Sequence, residues 1–372
     1  MTLPRTLAAL AVGGLAAGAG AAVGLGAERY AMGRSLRGPD PHAGEPFGGL
    51  RGTPYAMETS DGVQLHVEVD QPDGPGPTVV FCHGAALNQD SWHFQRRDLS
   101  VGRLVFYDHR SHGRSGRGRD LSIDRLGVDL GEVLDAFAPA GPVVLVGHST
   151  GGATIMALAD QRPELFGTRV VGVGLVATWA SELERTPLGL RGAAAQAAGR
   201  VGPLAVAAAA RQADLVESVR RSGSDLGYVL TRRYAFARHD VPASLVEFTA
   251  AMNAGTPVGV LADLLPHLSS HDRREALAAM HGVQALVVGA GGDRMTPVEH
   301  SRAIVAALPH ADYVEIPDAG HMVMLEHPDL VTAHIRVLVA RSVHGTDAAI
   351  DDPGVAPVPL PRPPRRGRSR RP

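Results

Sequence analysis

A serine near the middle of the chain has the surroundings of a catalytic nucleophile. Ser149 lies in the sequence Gly-His-Ser-Thr-Gly at 147–151, which follows the apolar run 143–146 and precedes a run with helical spacing at 153–159. A buried strand, G-x-S-x-G and a helix in this order form the nucleophile elbow. A side chain at either glycine would collide with neighbouring chain, and a helix N-terminus favours negative charge that develops beside the serine. We therefore predict that Ser149 is a nucleophile.

A serine hydroxyl needs a base to remove its proton and a carboxylate to orient that base. His321 follows a glycine in the segment after the last apolar strand pattern, 312–316. Asp293 lies between glycines and a helix start, directly after the preceding strand pattern at 284–289. Both positions suit loops at the edge of the sheet where catalytic groups converge. We predict that His321 is the base and that Asp293 orients it toward Ser149.

Acyl transfer also requires two backbone N–H groups directed at the developing oxyanion. Thr150, the residue after the nucleophile, supplies one of them. The other is expected from the loop after the apolar run 78–82, where His83 and Gly84 make a close backbone turn and Ala85 supplies the N–H. We interpret His83 as a residue that braces this loop rather than as a base.

Together these motifs resemble the α/β-hydrolase superfamily, in its capped branch, over residues 55–343. The order Ser149, Asp293, His321 along the chain is that of the family. The resemblance implies an α/β-hydrolase fold and a reaction that uses neither a cofactor nor a metal. It is closest to esterases, lipases and cofactor-free haloperoxidase-like enzymes, since haloalkane dehalogenases and epoxide hydrolases need a carboxylate nucleophile. One departure is Ser111, which stands where the family usually has glycine.

The elements that must position these residues alternate between strands and helices, which predicts a mainly parallel, doubly wound sheet. A hairpin is expected around Asp61-Gly62, and Ser122 is a plausible N-cap for a helix. The predicted buried strands are 78–82, 103–107, 143–146, 170–176, 284–289 and 312–316, and the predicted helices include 122–137, one that begins at 296–297, and 328–343.

A long stretch without buried strands interrupts the alternation. It is rich in alanine, is punctuated by proline and has a helical character. We interpret it as a helical cap inserted between two parallel strands and placed over the strand ends. The predicted organisation is an N-terminal hydrophobic segment at 1–27, a linker at 28–54, the first part of the hydrolase core at 55–180, the cap at 181–278, the second part of the core at 279–344 and a tail at 345–372.

The N-terminal segment contains an uncharged run, 7–26, that is long enough to span a bilayer. It consists only of alanine, glycine, leucine and valine. Three interpretations stay open: a membrane anchor, a cleaved signal peptide that leads to secretion, and an Ala/Gly-rich soluble segment. Arginines are more frequent after the run than before it, which favours a membrane-associated protein whose body faces the cytoplasm.

The composition excludes some classes of site and partner. One cysteine, Cys82, excludes an internal disulfide and a cysteine-based zinc site. Its apolar surroundings favour a small buried hydrophobe. The whole chain has a net charge of −2, and its last twelve residues, 361–372, carry six arginines and no acid. We expect the tail 345–372 to be disordered, and we expect no nucleic-acid partner.

We predict a serine hydrolase that cleaves a carboxylic ester of a small molecule, with an apolar acyl group and no cofactor. Met322, Met324 and Leu325 near the predicted base are consistent with an apolar substrate. The same triad could instead cleave C–C, amide or thioester bonds, or transfer an acyl group. A third possibility, from another class, is a ligand receptor that is acylated without turnover.

Overall fold

An eight-stranded sheet forms the centre of the computed structural model, which describes residues 39–71, 76–181, 225–238 and 240–344. The order across the sheet is β1-β2-β4-β3-β5-β6-β7-β8, with β3 to β8 parallel and the β1–β2 hairpin antiparallel at one edge. This confirms the predicted doubly wound sheet. The strands are β1 (Thr53–Glu58), β2 (Gln64–Asp70), β3 (Thr78–Cys82), β4 (Arg103–Tyr107), β5 (Val143–His148), β6 (Val170–Val176), β7 (Gln284–Ala290) and β8 (Asp312–Ile316).

Helices cover both faces of the sheet. Helices α2, α3 and α7 contribute to the apolar cluster on one face, whereas α1 and α9 contribute to the cluster on the other. The helices are α1 (His93–Asp98), α2 (Ile123–Phe137), α3 (Thr150–Gln161), α4 (Asp225–Ala235), α5 (Ala243–Gly255), α6 (Val258–Ser269), α7 (Val298–Ala307), α8 (Val323–Glu326) and α9 (Pro328–His344).

The central strands are apolar throughout because both of their faces are covered. Every residue of β3 and of β5 is buried. Along β5, Val144 and Val146 belong to one apolar cluster, and Val143 and Leu145 belong to the opposite one. Side chains alternate across a strand, so a strand with helices on both sides needs apolar residues at every position. The continuous run of valines in the sequence therefore places β5, and the serine after it, at the centre of the sheet.

The helices that flank the site begin close to their predicted positions. The Oγ of Ser122 accepts the N–H of Arg125 at 3.1 Å, so Ser122 is the N-cap of α2, as predicted. The helix predicted at 296–297 begins at Val298, and the one predicted at 328–343 extends over Pro328–His344.

The predicted end of the linker at residue 54 is wrong. Strand β1 begins at Thr53, and Pro54 lies within it. Proline is tolerated there because β1 is the edge strand, where one side needs no ladder hydrogen bonds. Upstream of the strand, the ring of Phe47 stacks on that of Phe248 in α5, with ring centroids 4.6 Å apart. The described part of the predicted linker 28–54 is therefore packed against the body of the protein.

The cap is inserted between β6 and β7, and its described part contains helices α4, α5 and α6 and no strand. Leu245 and Val246 of α5 join the apolar cluster that α9 also contributes to. Val260 and Leu264 of α6 join a separate cluster that includes Trp179, just after β6. This arrangement agrees with the prediction of a helical insertion at 181–278, as far as the described residues extend.

The N-terminal segment 1–27 and the tail 345–372 lie outside the described residues. The membrane anchor predicted at 7–26 and the disorder predicted for the tail therefore stay predictions. Among the residues that the structure describes, no helix is both long enough and apolar enough to cross a bilayer.

Candidate active site

Ser149 occupies a strained turn between β5 and α3. Its backbone angles are φ 53° and ψ −120°, in a region that residues other than glycine rarely adopt. The turn is tight because a Cβ at Gly151 would lie 2.1 Å from the carbonyl oxygen of Cys82 in β3. This geometry is that of the predicted nucleophile elbow.

The three residues predicted as a triad form one hydrogen-bonded chain. The Nε2 of His321 lies 3.0 Å from the Oγ of Ser149, and its Nδ1 lies 2.8 Å from Oδ2 of Asp293. All three residues are buried. If Nδ1 carries the imidazole proton and donates it to the carboxylate, the lone pair of Nε2 faces the serine hydroxyl. The arrangement can therefore remove the hydroxyl proton.

Asp293 is held by its own loop as well as by the histidine. Its Oδ1 accepts the N–H groups of Met295 and Thr296 at 2.7 and 2.9 Å, and its Oδ2 accepts the hydroxyl of Thr296 at 2.7 Å. Burial alone would raise the pKa of Asp293, but the adjacent His321 and these hydrogen bonds hold it below its ordinary value. The carboxylate is therefore ionised and fixed in orientation.

Thr296 belongs to the site, although the sequence analysis treated it only as part of a helix start. Besides its bonds to Asp293, its hydroxyl lies 2.9 Å from the carbonyl oxygen of Ala177, just after β6. The signal that could have identified it is local. An aspartate followed three residues later by threonine favours a turn in which the carboxylate accepts backbone N–H groups.

The two predicted oxyanion donors flank the nucleophile. Thr150 is the first residue of α3, and Ala85 follows β3 in a loop that touches the elbow, since a Cβ at Gly84 would lie 3.2 Å from the Cβ of Ser149. Within the described ranges, neither the N–H of Ala85 nor that of Thr150 has a hydrogen-bond acceptor. The lack of an internal acceptor among these residues is what an oxyanion donor requires.

His83 braces the loop, as predicted. Its Nε2 accepts the backbone N–H of His109 at 2.9 Å, and its Nδ1–H donates to the carbonyl of Gly84 at 2.8 Å. Burial lowers the pKa of His83 well below its ordinary value, which keeps the imidazole neutral.

In the next loop, Ser111 has φ 64°, and this explains why glycine suits the position. Its Oγ accepts the N–H of Gly118 at 3.0 Å, which helps to hold the conformation.

His148 is a second residue that sequence reasoning missed. Its Nε2–H donates to the backbone carbonyl of His321 at 2.8 Å, so it fixes the loop that carries the base. Burial lowers the pKa of His148 to about 3, and the ring is therefore neutral at physiological pH. No local pattern indicates this role, because the two residues are 173 positions apart.

An apolar cluster lies beside the predicted oxyanion loop. Ala85 packs against it, and Trp179 and two residues of the cap helix α6, Val260 and Leu264, belong to it. The other members are Leu121, Ile123, Leu126, Ala153 and Ala157. The cluster brings the cap, the predicted oxyanion loop and the first turn of α3 together.

Among the described residues, no three His, Cys, Asp or Glu side chains are placed to hold a metal ion.

Comparisons with known proteins agree on one family. A model described as "Alpha/beta hydrolase family" matches residues 79–334. The sn-1-specific diacylglycerol lipase of Mus musculus is 27% identical over 305 residues, which cover 79% of this chain and 89% of the lipase. The 3-oxoadipate enol-lactonase 1 of Acinetobacter baylyi is 24% identical over 269 residues, covering 72% of this chain and 90% of the lactonase.

Solved structures show the same fold. A thermophilic esterase from Thermogutta terrifontis superimposes with a TM-score of 0.62 and 23% sequence identity. The superposition covers 78% of this chain and 99% of the esterase chain. The matched part of the chain therefore spans almost the whole of that enzyme.

Proposed function

The chain belongs to the alpha/beta hydrolase family, and on this premise we propose that it hydrolyses carboxylic esters through an acyl-enzyme on Ser149. The observation that carries the proposal is the continuous chain of contacts from Ser149 Oγ through His321 to Asp293, with distances of 3.0 and 2.8 Å. Such a chain activates a serine toward a carbonyl carbon. The relatives described above support the bond type, because a diacylglycerol and an enol-lactone are both carboxylic esters.

In the proposed first half-reaction, the Oγ of Ser149 attacks the ester carbonyl while His321 Nε2 takes the hydroxyl proton. The carbonyl oxygen becomes an oxyanion, which accepts the N–H groups of Ala85 and Thr150. As the tetrahedral intermediate collapses, the bond to the alcohol oxygen breaks. His321 returns the proton to that oxygen, and the alcohol leaves.

The second half-reaction repeats the steps with water in place of the alcohol. His321 takes a proton from water, and the resulting hydroxide attacks the carbonyl of the acyl-Ser149 ester. The second tetrahedral intermediate releases the carboxylic acid, and the proton returns to the serine oxygen. Asp293 keeps its negative charge throughout and stabilises the imidazolium that forms in each half-reaction.

The experiment that tests the proposal combines a covalent probe with ester substrates. A fluorophosphonate should label the intact protein at Ser149, and p-nitrophenyl esters of increasing acyl length should be turned over many times per protein molecule. Labelling or acylation that occurs once without turnover would support a receptor instead. Turnover of amide or thioester analogues, but not of esters, would support a different bond.

We also propose that the acyl chain of the substrate packs against the apolar cluster beside Ala85. Because residues of the cap belong to this cluster, they would determine the preferred length of the acyl chain. Leu264 and Leu265 are neighbours in α6, but Leu264 is 2% exposed and Leu265 is 43% exposed. We expect Leu264→Ala to shift the optimum to longer acyl chains, since the variant leaves more space to fill. Each further methylene should increase kcat/KM by about fourfold until the space is filled.

The measurement is kcat/KM across the p-nitrophenyl ester series, with Leu265→Ala as the matched control. The control should keep the wild-type optimum, because its side chain faces solvent. A buried leucine-to-alanine change costs about 2–5 kcal/mol, so thermal unfolding must first show that the variant is folded. An unchanged optimum in folded Leu264→Ala would mean that α6 does not line the acyl site.

The uncharged run 7–26 is proposed to attach the protein to a membrane, with its body on the cytoplasmic side. We expect the full chain to sediment with membranes and to resist extraction by carbonate or high salt. A chain that begins at Pro39 should remain in the supernatant and keep its esterase activity, because it lacks the run 7–26 and retains the whole sheet and the three proposed catalytic residues. Full-length protein in the soluble fraction with its N-terminus intact would contradict the anchor.

A further inference from the structure

Glu326 joins two segments that lie far apart in the sequence. Its Oε1 accepts the backbone N–H of Gly320 at 2.5 Å, and its Oε2 accepts that of Ala237 at 3.2 Å. The backbone N–H of Arg238 also acts on the carboxylate, where it favours the charged form. Gly320 directly precedes His321, and Ala237 lies in the cap two residues after the end of α4. One carboxylate therefore connects the loop of the proposed base with the cap.

Other contacts hold the backbone of His321 from different directions. The N–H of Met322 donates to the carbonyl of Ala235, the last residue of α4, at 2.9 Å. The carbonyl of His321 accepts the ring N–H of His148, as described above. Among the described residues, the hydrogen bonds that link Gly320 to the cap pass through the side chain of Glu326, whereas Met322 bonds to the cap through its main chain. A substitution of Glu326 can therefore remove this link, whereas no substitution removes a bond between two backbone groups.

We infer that Glu326 is a positioning residue that couples the cap to the proposed base by holding Gly320, and that the coupling requires the ionised carboxylate. The inference rests on the proposed function, since it assigns a role to Glu326 through His321. An ionised carboxylate has only acceptors, so each of its oxygens can receive one of the N–H groups of Gly320 and Ala237. When the carboxyl group of Glu326 is protonated, one of its oxygens carries an O–H where the ionised form accepts an N–H. One of the two backbone hydrogen bonds is then lost.

The surroundings place this ionisation in the physiological range. Burial, together with the nearby Asp318 carboxylate, raises the pKa of Glu326 to about 7 in spite of the amide hydrogen bonds. Within the described part of the chain, the charged and titratable groups that act on Glu326 or on its neighbour Asp318 are Asp318 in the loop after β8, Arg238 in the cap and His327 after α8. Asp318 lies 3.3 Å from the Nε2 of His327 and 3.9 Å from Arg238. As the pH falls through about 7, Glu326 therefore loses its charge. The loop that carries His321 then loses a hydrogen bond that links it to the cap.

The first arm of the test measures the tie without using catalysis. Amide hydrogen exchange of the full chain is followed by mass spectrometry at pH 8 in wild type, Glu326→Gln and the control Glu299→Gln, whose side chain is exposed. A glutamine can accept only through its carbonyl oxygen, so exchange around both Gly320 and Ala237 should become about tenfold faster. The control should match wild type. Unchanged exchange in both segments of Glu326→Gln would overturn the inference.

The second arm measures the consequence for the proposed reaction. We expect kcat of Glu326→Gln to fall between about tenfold and about 100-fold with little change in KM, because the base is displaced rather than removed. In wild type the acid limb of log(kcat/KM) should be steeper than the slope of about one that a single titrating group produces. In Glu326→Gln the slope should return to about one.

Asp318→Asn tests whether the nearby negative charge raises the pKa of Glu326, because it removes that charge and leaves the carboxylate of Glu326 in place. The steep part of its acid limb should move to lower pH by about half a unit. Altered exchange in Glu326→Gln with a wild-type pH profile would refute the role toward His321. If Ser149→Ala turned over esters as wild type does, the proposed function would fail, while the exchange arm would still decide whether Glu326 ties the two segments.

Discussion

Ser149→Ala is expected to reduce ester hydrolysis to the background rate, a loss of about 10⁶-fold in kcat where wild-type turnover is high enough to measure it. The hydroxyl at 3.0 Å from His321 Nε2 is the group proposed to form the acyl-enzyme, and alanine has no atom to replace it. Substrate binding should persist, because the apolar cluster and the oxyanion donors are unchanged. Fluorophosphonate labelling should disappear together with turnover.

The fold should tolerate this substitution. Alanine has the same Cβ as serine, so the backbone at φ 53° is no more strained in the variant. Ser301→Ala is a suitable control, since it changes a buried serine on α7 in the same way. Both variants should unfold near the wild-type temperature, and the control should keep its labelling. Hydrolysis by Ser149→Ala within tenfold of wild type would exclude the acyl-enzyme mechanism.

Asp293→Asn is expected to reduce kcat by about 10³- to 10⁴-fold. The asparagine amide can donate to His321 Nδ1 and thereby favour the imidazole tautomer that carries its proton on Nε2. In that tautomer the nitrogen facing Ser149 has no lone pair to accept the hydroxyl proton. Rates should be measured with one p-nitrophenyl ester, and Asp135→Asn, at an exposed aspartate on α2, serves as the control. A loss of less than tenfold would indicate that another acid orients the base.

The same variant should change how stability depends on pH. The pKa of Asp293 is lowered in the folded state from its ordinary value of 3.8. Its contribution to the free energy of unfolding is therefore fully present above about pH 4 and is lost as the pH falls through the lower folded value. Asp293→Asn should be less stable than wild type at pH 7. The difference should shrink in acid, which unfolding in denaturant at several pH values can measure.

The sequence was sufficient for the parts of the site that depend on local pattern. Ser149 follows from a strand, a glycine-flanked turn and a helix, and these occupy consecutive residues. Asp293 and His321 follow from their positions after the last two strand patterns, and the structure places both within hydrogen-bond distance of their partners. Local pattern also predicted the start of α2 at Ser122.

The residues that support the triad could not be predicted in the same way. His148 bonds to a carbonyl 173 residues away, and Glu326 bonds to an amide 89 residues away. Hydrophobic periodicity and turn signals report only neighbours along the chain, so they contain no information about such pairs. The start of β1 was missed for a different reason: Pro54 argues against a strand unless the strand is known to lie at a sheet edge.

The order of strands has a consequence for how the molecule is made. Ser149 is synthesised 172 residues before His321, so at about 5–20 residues per second its base follows roughly 10 to 30 s later. Until then the serine is an ordinary, weakly reactive alcohol. During the same interval the ribosome makes the cap, and β6 has no β7 to pair with, which leaves an open strand edge inside the future sheet. The nascent chain therefore exposes a strand edge while it contains the proposed nucleophile but not the proposed base, and completion of the last two strands ends both conditions nearly together.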